Sequence, residues 1–275
     1  MKTLFVGAGS MAHALLNGAL EARVLEKENV YVTNRSNRQR LTEVTNHFGV
    51  NGVHAPLPSH EPFDVVILAM KPKDFHSAAP AVKHFLTGGT LVISVLAGIG
   101  IEQIREALSF NGAIARAMPN TSASVGRSAT AVTCNGSLSE KQREWTMKFF
   151  SSVGLAVEVP EEQMDLITAV SGSGPAYIYY VAEMLEKAAV DLGLHSELAK
   201  ALIRETISGA SVMLEKSGLE AEILRKNVTS PGGTTEAGIS VLDKYGVSEA
   251  FTHCVDAAKN RSKEMGSELL LNRVK

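Results

Sequence analysis

At 275 residues the chain is long for a single core, and two domains are the expectation. Apolar residues make up 45% and charged residues 20%, an ordinary globular balance; the net charge of −2, without blocks of like charge, excludes nucleic acid as an expected partner. Apolar runs such as VVILAM at 65–70 are far too short to span a bilayer, so no membrane association is expected.

In chain order, TLFVG at 3–7 reads as the first strand. The opening MKTLFVGAGS offers a charge and some apolar residues but meets glycines at once, so no signal peptide is expected. GAGSMA, Gly7 to Ala12, follows that strand and opens the helical stretch SMAHALLNGALEA. Strand, glycine turn and helix are the context that a dinucleotide fingerprint requires. Gly7 makes the tight turn, Gly9 lets a pyrophosphate approach, Ser10 and Met11 start the helix, and Ala12 replaces the third glycine. The second strand, VYVT, ends at Asn34, Arg35 and Ser36, where an enzyme preferring NAD carries an acid for the ribose hydroxyls. An amide, a guanidinium and a hydroxyl suit a 2′-phosphate instead, so NADPH is the expected cofactor and NADH a possible one. The same trio also reads as a solvated cap, with Ser36 opening the helix SNRQRLTEVTNHF.

DVVILAM and TLVISVLAG are apolar without alternation, as strands covered on both faces are. They close in AMKP (69–72) and VLAG (95–98), at the carboxyl ends where open α/β sheets bind ligands. Lys71 there lines the cofactor crevice or is a solvated helix-start lysine; Ala97 and Gly98 stand at the second such end. The helical IEQIREALS precedes AIARAM, whose end, RAMPNT, places Pro119 and Asn120 as a floor under the nicotinamide. ATAVT and LAVEVP complete an alternating β and α pattern, and residues 1–159 are read as a doubly wound, mainly parallel sheet domain. Pro160 followed by EEQMD opens a helical domain, 160–275.

That helical domain breaks at SGSGP, GLHSE, SGLEAE and SPGGTT. Between Pro175 and Leu192 the charges Glu183, Glu186, Lys187 and Asp191 share one narrow stripe, and the rest of the circumference is apolar. Such a helix needs cover on most sides, so a second copy of the chain is expected rather than burial within its own domain. Tyr179 and Tyr180 are followed four residues on by Glu183 and Met184 rather than lysine, and these tyrosines, with Tyr177, read as packing. In VTSPGGTTEAGI, 228–239, a chain reversal needs one glycine or one proline. Paired glycines ahead of two threonines and a new helix instead expose backbone N–H groups where an anion can sit. The eight histidines are scattered, so no metal is expected; no nucleophile and base pair stands out; Cys134 and Cys254 are lone thiols suited to a reducing cytoplasm.

With GAGSMA, TNRS, AMKP, RAMPNT, SGSGPAY and SPGGTTEAG in order, the sequence resembles the pyrroline-5-carboxylate reductases over essentially its whole length. The glycine pair between Ser-Pro and threonine is the most specific of these motifs; Ser10 stands where the family often carries Asn. The resemblance implies NADPH reduction of the cyclic imine 1-pyrroline-5-carboxylate to proline. It implies an N-terminal Rossmann domain and an all-α C-terminal dimerisation domain whose helices interleave with a partner's in a homo-oligomer. It also implies that Ala69, Met70, Lys71 and Pro72 contact cofactor. The loop of Ser230, Gly232, Gly233, Thr234 and Thr235 would hold the substrate, with Thr235 at the ring nitrogen. Two other readings stay open: a 3-hydroxyacid-type dehydrogenase, for which Lys187 and Lys200 are the tempting bases but read as exposed helical charges, and a protein that binds NADP without turnover.

Overall fold

The computed structural model describes residues 1–35, 37–53 and 62–271. Its strands are β1 (Thr3–Val6), β2 (Val30–Thr33), β3 (Asn51–Val53), β4 (Val65–Leu68), β5 (Leu91–Ser94), β6 (Ala113–Met118), β7 (Ser128–Cys134) and β8 (Gly154–Glu158). They form one sheet in the order β3-β2-β1-β4-β5-β6-β7-β8. Strands β1 to β6 pair in parallel; β7 runs against β6, with Arg116 opposite Thr133, and β8 is parallel to β7. Helices α1 (Ser10–Glu21), α2 (Arg38–Phe48), α3 (Phe75–Lys83), α4 (Ile101–Leu108) and α5 (Glu140–Ser151) connect the strands.

Both faces of the sheet are covered, because every residue of β1, β4 and β5 is buried. Phe5, Leu15, Val32, Ile67 and Phe149 fall in one apolar cluster. Leu4, Val66, Phe75 and Ile104 fall in the other. Strand order reverses between β1 and β4, which makes the carboxyl end of β1 the switch point of the sheet. The sequence reading named no element at β3, α3 or α5. NGV has no apolar alternation to show, and only its pairing with Tyr31–Thr33 makes it a strand.

Packing divides the chain after Ser173, with the chain from Asp256 onward returning to the sheet unit. This division differs from a boundary at Pro160. Helix α6 (Met164–Ile167) and the wide π turn Thr168–Gly172 belong with the sheet. Buried Arg116 of β6 holds them, lying 3.6 Å from Glu161 and 3.6 Å from Asp165. Asp165 also accepts the Ser262 hydroxyl at 2.7 Å, which ties in the end of α11 (Val247–Leu271). Gln103 adds a second tie, donating to the Gly266 carbonyl at 2.8 Å.

The second unit, Gly174–Val255, contains α7 (Gly174–Asp191), α8 (Ser196–Lys216), α9 (Ala221–Asn227), α10 (Thr234–Lys244) and the start of α11. Within it Ala199 is the one buried residue. Helix α7 packs on α8 but leaves Ile178, Tyr179, Tyr180, Met184 and Leu185 exposed. Tyr179 and Tyr180 lie on this uncovered surface, where packing would come from a second copy, and burial of this helix by its own domain is excluded. A unit without a core cannot offset its conformational entropy alone, so this surface requires a partner chain. Among the described residues no helix is long and apolar enough to cross a membrane.

Candidate active site

At the switch point, Gly7 holds φ +117°, and its N–H donates to the Thr33 carbonyl at 2.8 Å. A Cβ there would lie 2.6 Å from the Ala69 carbonyl oxygen and 2.7 Å from Met70 N, so Gly7 is what lets the turn press against the end of β4. Gly9 differs. It is the N-cap of α1 in extended conformation, and a Cβ there would find its nearest neighbour at 4.0 Å. The first α1 bond runs from His13 N–H to the Gly9 carbonyl, which leaves the N–H groups of Ser10, Met11 and Ala12 outside the helix ladder. Open space over Gly9 and three outward N–H groups fit a pyrophosphate.

Several side chains brace this turn. Arg40 of α2 donates from Nε to the Ala8 carbonyl at 3.1 Å and pairs with Glu43 at 3.3 Å. His13 stacks on His47 with ring centroids 5.1 Å apart; burial first, then His47 and Arg40, hold its imidazole below the ordinary range. Asn34 donates to the Asn37 carbonyl at 3.1 Å. Helix α2 begins at Arg38 with Asn37 as its cap, accepting from Arg40 N at 2.8 Å. Ser36 lies outside the described residues. Arg35 is exposed and donates to Ser77 of α3 at 2.6 Å.

Ala69 is buried and Met70 half-buried at the end of β4, whereas Lys71 is exposed and Pro72 opens a short 3-10 turn. Ala97 is half-buried. Gly98, at φ +75°, has a tertiary reason to be glycine: a Cβ would lie 2.8 Å from the Ser262 carbonyl, so it is the close approach of α11 that needs it. Asn120 is buried, and both ends of its amide are bonded. Its Oδ1 accepts from Ser122 N at 3.0 Å, and its Nδ2 donates to the Ser171 carbonyl at 2.9 Å, joining the end of β6 to the π turn.

In the helical unit the interruption at 228–239 resolves into a turn and a cap. Ser230 accepts from Gly233 N at 2.9 Å around Pro231 and Gly232, and Gly232 holds φ +72°. That is a type II turn, which explains proline followed by glycine. Gly233 caps α10, whose first bond runs from Ala237 N–H to the Gly233 carbonyl. The N–H groups of the two glycines that the loop would offer an anion are already engaged. The Gly233 N–H is spent on the turn, and the Gly232 N–H already holds the Glu236 carboxylate at 2.7 Å. Free of the α10 ladder are the N–H groups of Thr234, Thr235 and Glu236. Thr206, Thr229 and Thr252 bond back to carbonyls four residues earlier; Thr235 has no such back-bond among the described residues.

Lys187 pairs with Asp191 and Lys200 with Glu197, both on exposed helix surface, as the sequence reading has them. Arg40 and Ser77 brace residues of the predicted cofactor motifs and Arg116 holds α6, and no local pattern reveals them because their partners stand 32, 42 and at least 45 positions away. Only the placement of Arg40 one turn into α2 hinted at a role.

The fold and the Gly7–Ala12 turn are those of a dinucleotide-binding α/β protein, joined to a helical region whose apolar surface is left uncovered. A family model described as NADP oxidoreductase coenzyme F420-dependent matches residues 2–98, and one described as pyrroline-5-carboxylate reductase dimerisation matches residues 161–265. The chain is 40% identical over 268 residues to pyrroline-5-carboxylate reductase 1 of Bacillus subtilis, covering 98% of this chain and 90% of that one. The Plasmodium falciparum pyrroline carboxylate reductase with NADP bound superposes with a TM-score of 0.86 at 32% identity, covering 97% and 98% of the two chains. The Coxiella burnetii pyrroline-5-carboxylate reductase gives a TM-score of 0.86 at 36% identity, covering 96% and 98%. This chain belongs to the pyrroline-5-carboxylate reductase family. It is an NAD(P)H-dependent oxidoreductase and a homo-oligomer, and the hydroxyacid-dehydrogenase and non-catalytic readings fall away.

Proposed function

We propose that this chain reduces 1-pyrroline-5-carboxylate to L-proline, with NADPH as preferred reductant and NADH as a weaker one, in the cytoplasm. The observation that carries the reading is the Ser230–Gly233 turn, which opens α10 with N–H groups outside its ladder beside the Thr235 hydroxyl, itself without a back-bond among the described residues. When bound, the nicotinamide supplies the hydride that the imine carbon accepts. The protein's own work is binding and orientation.

Gly9, Ser10 and Met11 would hold the pyrophosphate on the turn that Gly7 makes possible, and Asn34, Arg35 and Ser36 would hold the 2′-phosphate. Ala69, Met70, Lys71, Pro72, Ala97, Gly98 and Asn120 shape the rest of the crevice. The substrate carboxylate meets the N–H groups of Thr234, Thr235 and Glu236, helped by the positive end of the α10 dipole. Gly232 and Gly233 give the turn its shape, and Ser230 closes it. The Glu236 carboxylate already takes the Gly232 N–H, as an acid at the third helical position does, so the N–H groups beyond it are the ones left for the substrate. Thr235 acts as the catalytic contact: its hydroxyl meets the ring nitrogen and aims the imine. A protonated imine brings its own proton to the product amine, so no general acid is required. On this reading residues 1–159 are the cofactor domain, and 160–275 the substrate and dimerisation domain, its helices interleaved with a partner's.

Thr235→Val keeps the side-chain shape and removes the hydroxyl. It is expected to lower kcat/KM for the cyclic imine about tenfold or more, at ~1.4 kcal/mol per decade, with melting and NADPH affinity little changed. NADPH oxidation followed at 340 nm, with and without the imine, measures this. Near-normal turnover would leave the loop as turn and cap only.

A further inference from the structure

Arg35 stands just past the end of β2, and its Nη1 donates to Ser77 Oγ at 2.6 Å. Ser77 belongs to α3, the helix after β4, and its hydroxyl donates in turn to the Asp74 carbonyl at 2.9 Å. Strands β2 and β4 are not neighbours. β1 lies between them, with Val6 level with both Thr33 and Leu68. Two strand spacings, about 10 Å, separate their ends. The Arg35–Ser77 bond therefore joins the segments that follow β2 and β4, the two strands flanking β1, whose end carries the Gly7–Ala12 turn.

An exposed arginine loses much rotamer freedom when it is held in one place, so a ligand that must order it binds less tightly. Here the ordering is done by the protein. Because the Ser77 proton is committed to Asp74, the hydroxyl presents lone pairs toward the guanidinium, and the two bonds reinforce each other. The contact occupies one of five guanidinium N–H donors and leaves the rest for an anion. A carboxylate at position 77 would hold Arg35 as well but would neutralise it; a hydroxyl orients the charge without cancelling it.

We propose that Ser77 is a positioning residue for cofactor selection, presetting the Arg35 guanidinium for the 2′-phosphate that distinguishes NADPH from NADH. This rests on the reading of Arg35 as the phosphate contact. Ser77 is exposed on a helix, where alanine is well tolerated, so Ser77→Ala folds.

The test measures Kd and KM for NADPH and NADH, with kcat, on the full-length enzyme carrying Ser77→Ala, Ser77→Thr, Arg35→Ala, or Arg35→Ala with Ser77→Ala. Ser77→Ala is expected to raise the NADPH Kd about threefold to tenfold, as loss of one charge-assisted hydrogen bond does, and to leave NADH binding and kcat in place. Ser77→Thr should restore NADPH binding. In the Arg35→Ala background the serine change should cost nothing further. An equal effect on both cofactors, no effect on either, or a threefold loss persisting without Arg35 would each overturn the role of Ser77 while leaving Arg35 as the phosphate reader. If Arg35→Ala leaves the NADPH to NADH ratio unchanged, the Arg35 reading fails and the Ser77 proposal fails with it.

Discussion

Replacing Gly7 and Gly9 one at a time by alanine separates the glycine that the fold needs from the glycine that the cofactor needs. At Gly7, φ is +117°, and the new methyl would meet backbone atoms of Ala69 and Met70 at 2.6–2.7 Å. A non-glycine residue held in such a region costs about 1–3 kcal/mol. Forcing a methyl into fixed backbone adds about 1–3 kcal/mol of overpacking. Gly7→Ala should therefore lose about 2–6 kcal/mol, on the order of 10 °C in Tm for a unit of this size.

At Gly9 the backbone is ordinary for alanine, and the nearest atom to a Cβ is 4.0 Å away. Losing a glycine N-cap costs up to about 1 kcal/mol. The reduced freedom of the unfolded chain returns about 0.4–1 kcal/mol, so Tm should stay within a few degrees. The methyl would stand where the pyrophosphate approaches, and NADPH affinity should fall about tenfold or more, ~1.4 kcal/mol. Thermal unfolding by circular dichroism and NADPH titration by fluorescence give both numbers for each variant. Wild-type melting in Gly7→Ala would refute the packing argument. Wild-type NADPH affinity in Gly9→Ala would remove the pyrophosphate from this turn.

The remaining expectations concern the sheet unit. Asp165→Asn removes a charge from buried Arg116 and weakens the Ser262 contact, and should destabilise by about 1–3 kcal/mol, less than a fully buried pair because Asp165 is partly exposed; urea unfolding with no change in midpoint would show that the network is neutral. Burial first, then Glu158, pushes the Cys134 thiol up from 9.0 to about 11. Between about pH 9 and 11 the unfolded chain then loses a proton that the folded chain keeps, so stability falls as pH rises through that window. Unfolding at pH 8, 9.5 and 11 should show a decline that Cys134→Ala reduces, and an identical decline in both proteins would assign it to other groups.

What the sequence determined by itself is what short spacing encodes. A glycine pattern between a strand and a helix marks a nucleotide turn because the turn, the close approach and the helix start involve only Gly7 to Ala12. Runs such as VVILAM report burial on both faces because each residue carries its own apolarity. The stripe of charge on α7 foretold the exposed apolar surface, since 3.6-residue periodicity is local. The tertiary structure decided everything that depends on partners distant in the chain. The reversal of β7 follows from pairing Arg116 with Thr133. The return of α11 to the sheet unit depends on Ser262 meeting Asp165, 97 residues away. Gly98, read as a cofactor residue from its place at a strand end, is glycine because the α11 backbone comes within 2.8 Å of its missing side chain. In the SPGGTT loop the residue types offer N–H groups that an anion would use, yet which of them stay free depends on where Ser230 and Glu236 direct their oxygens. Motifs record which chemistry is available; only folded geometry records which donors that chemistry has already spent.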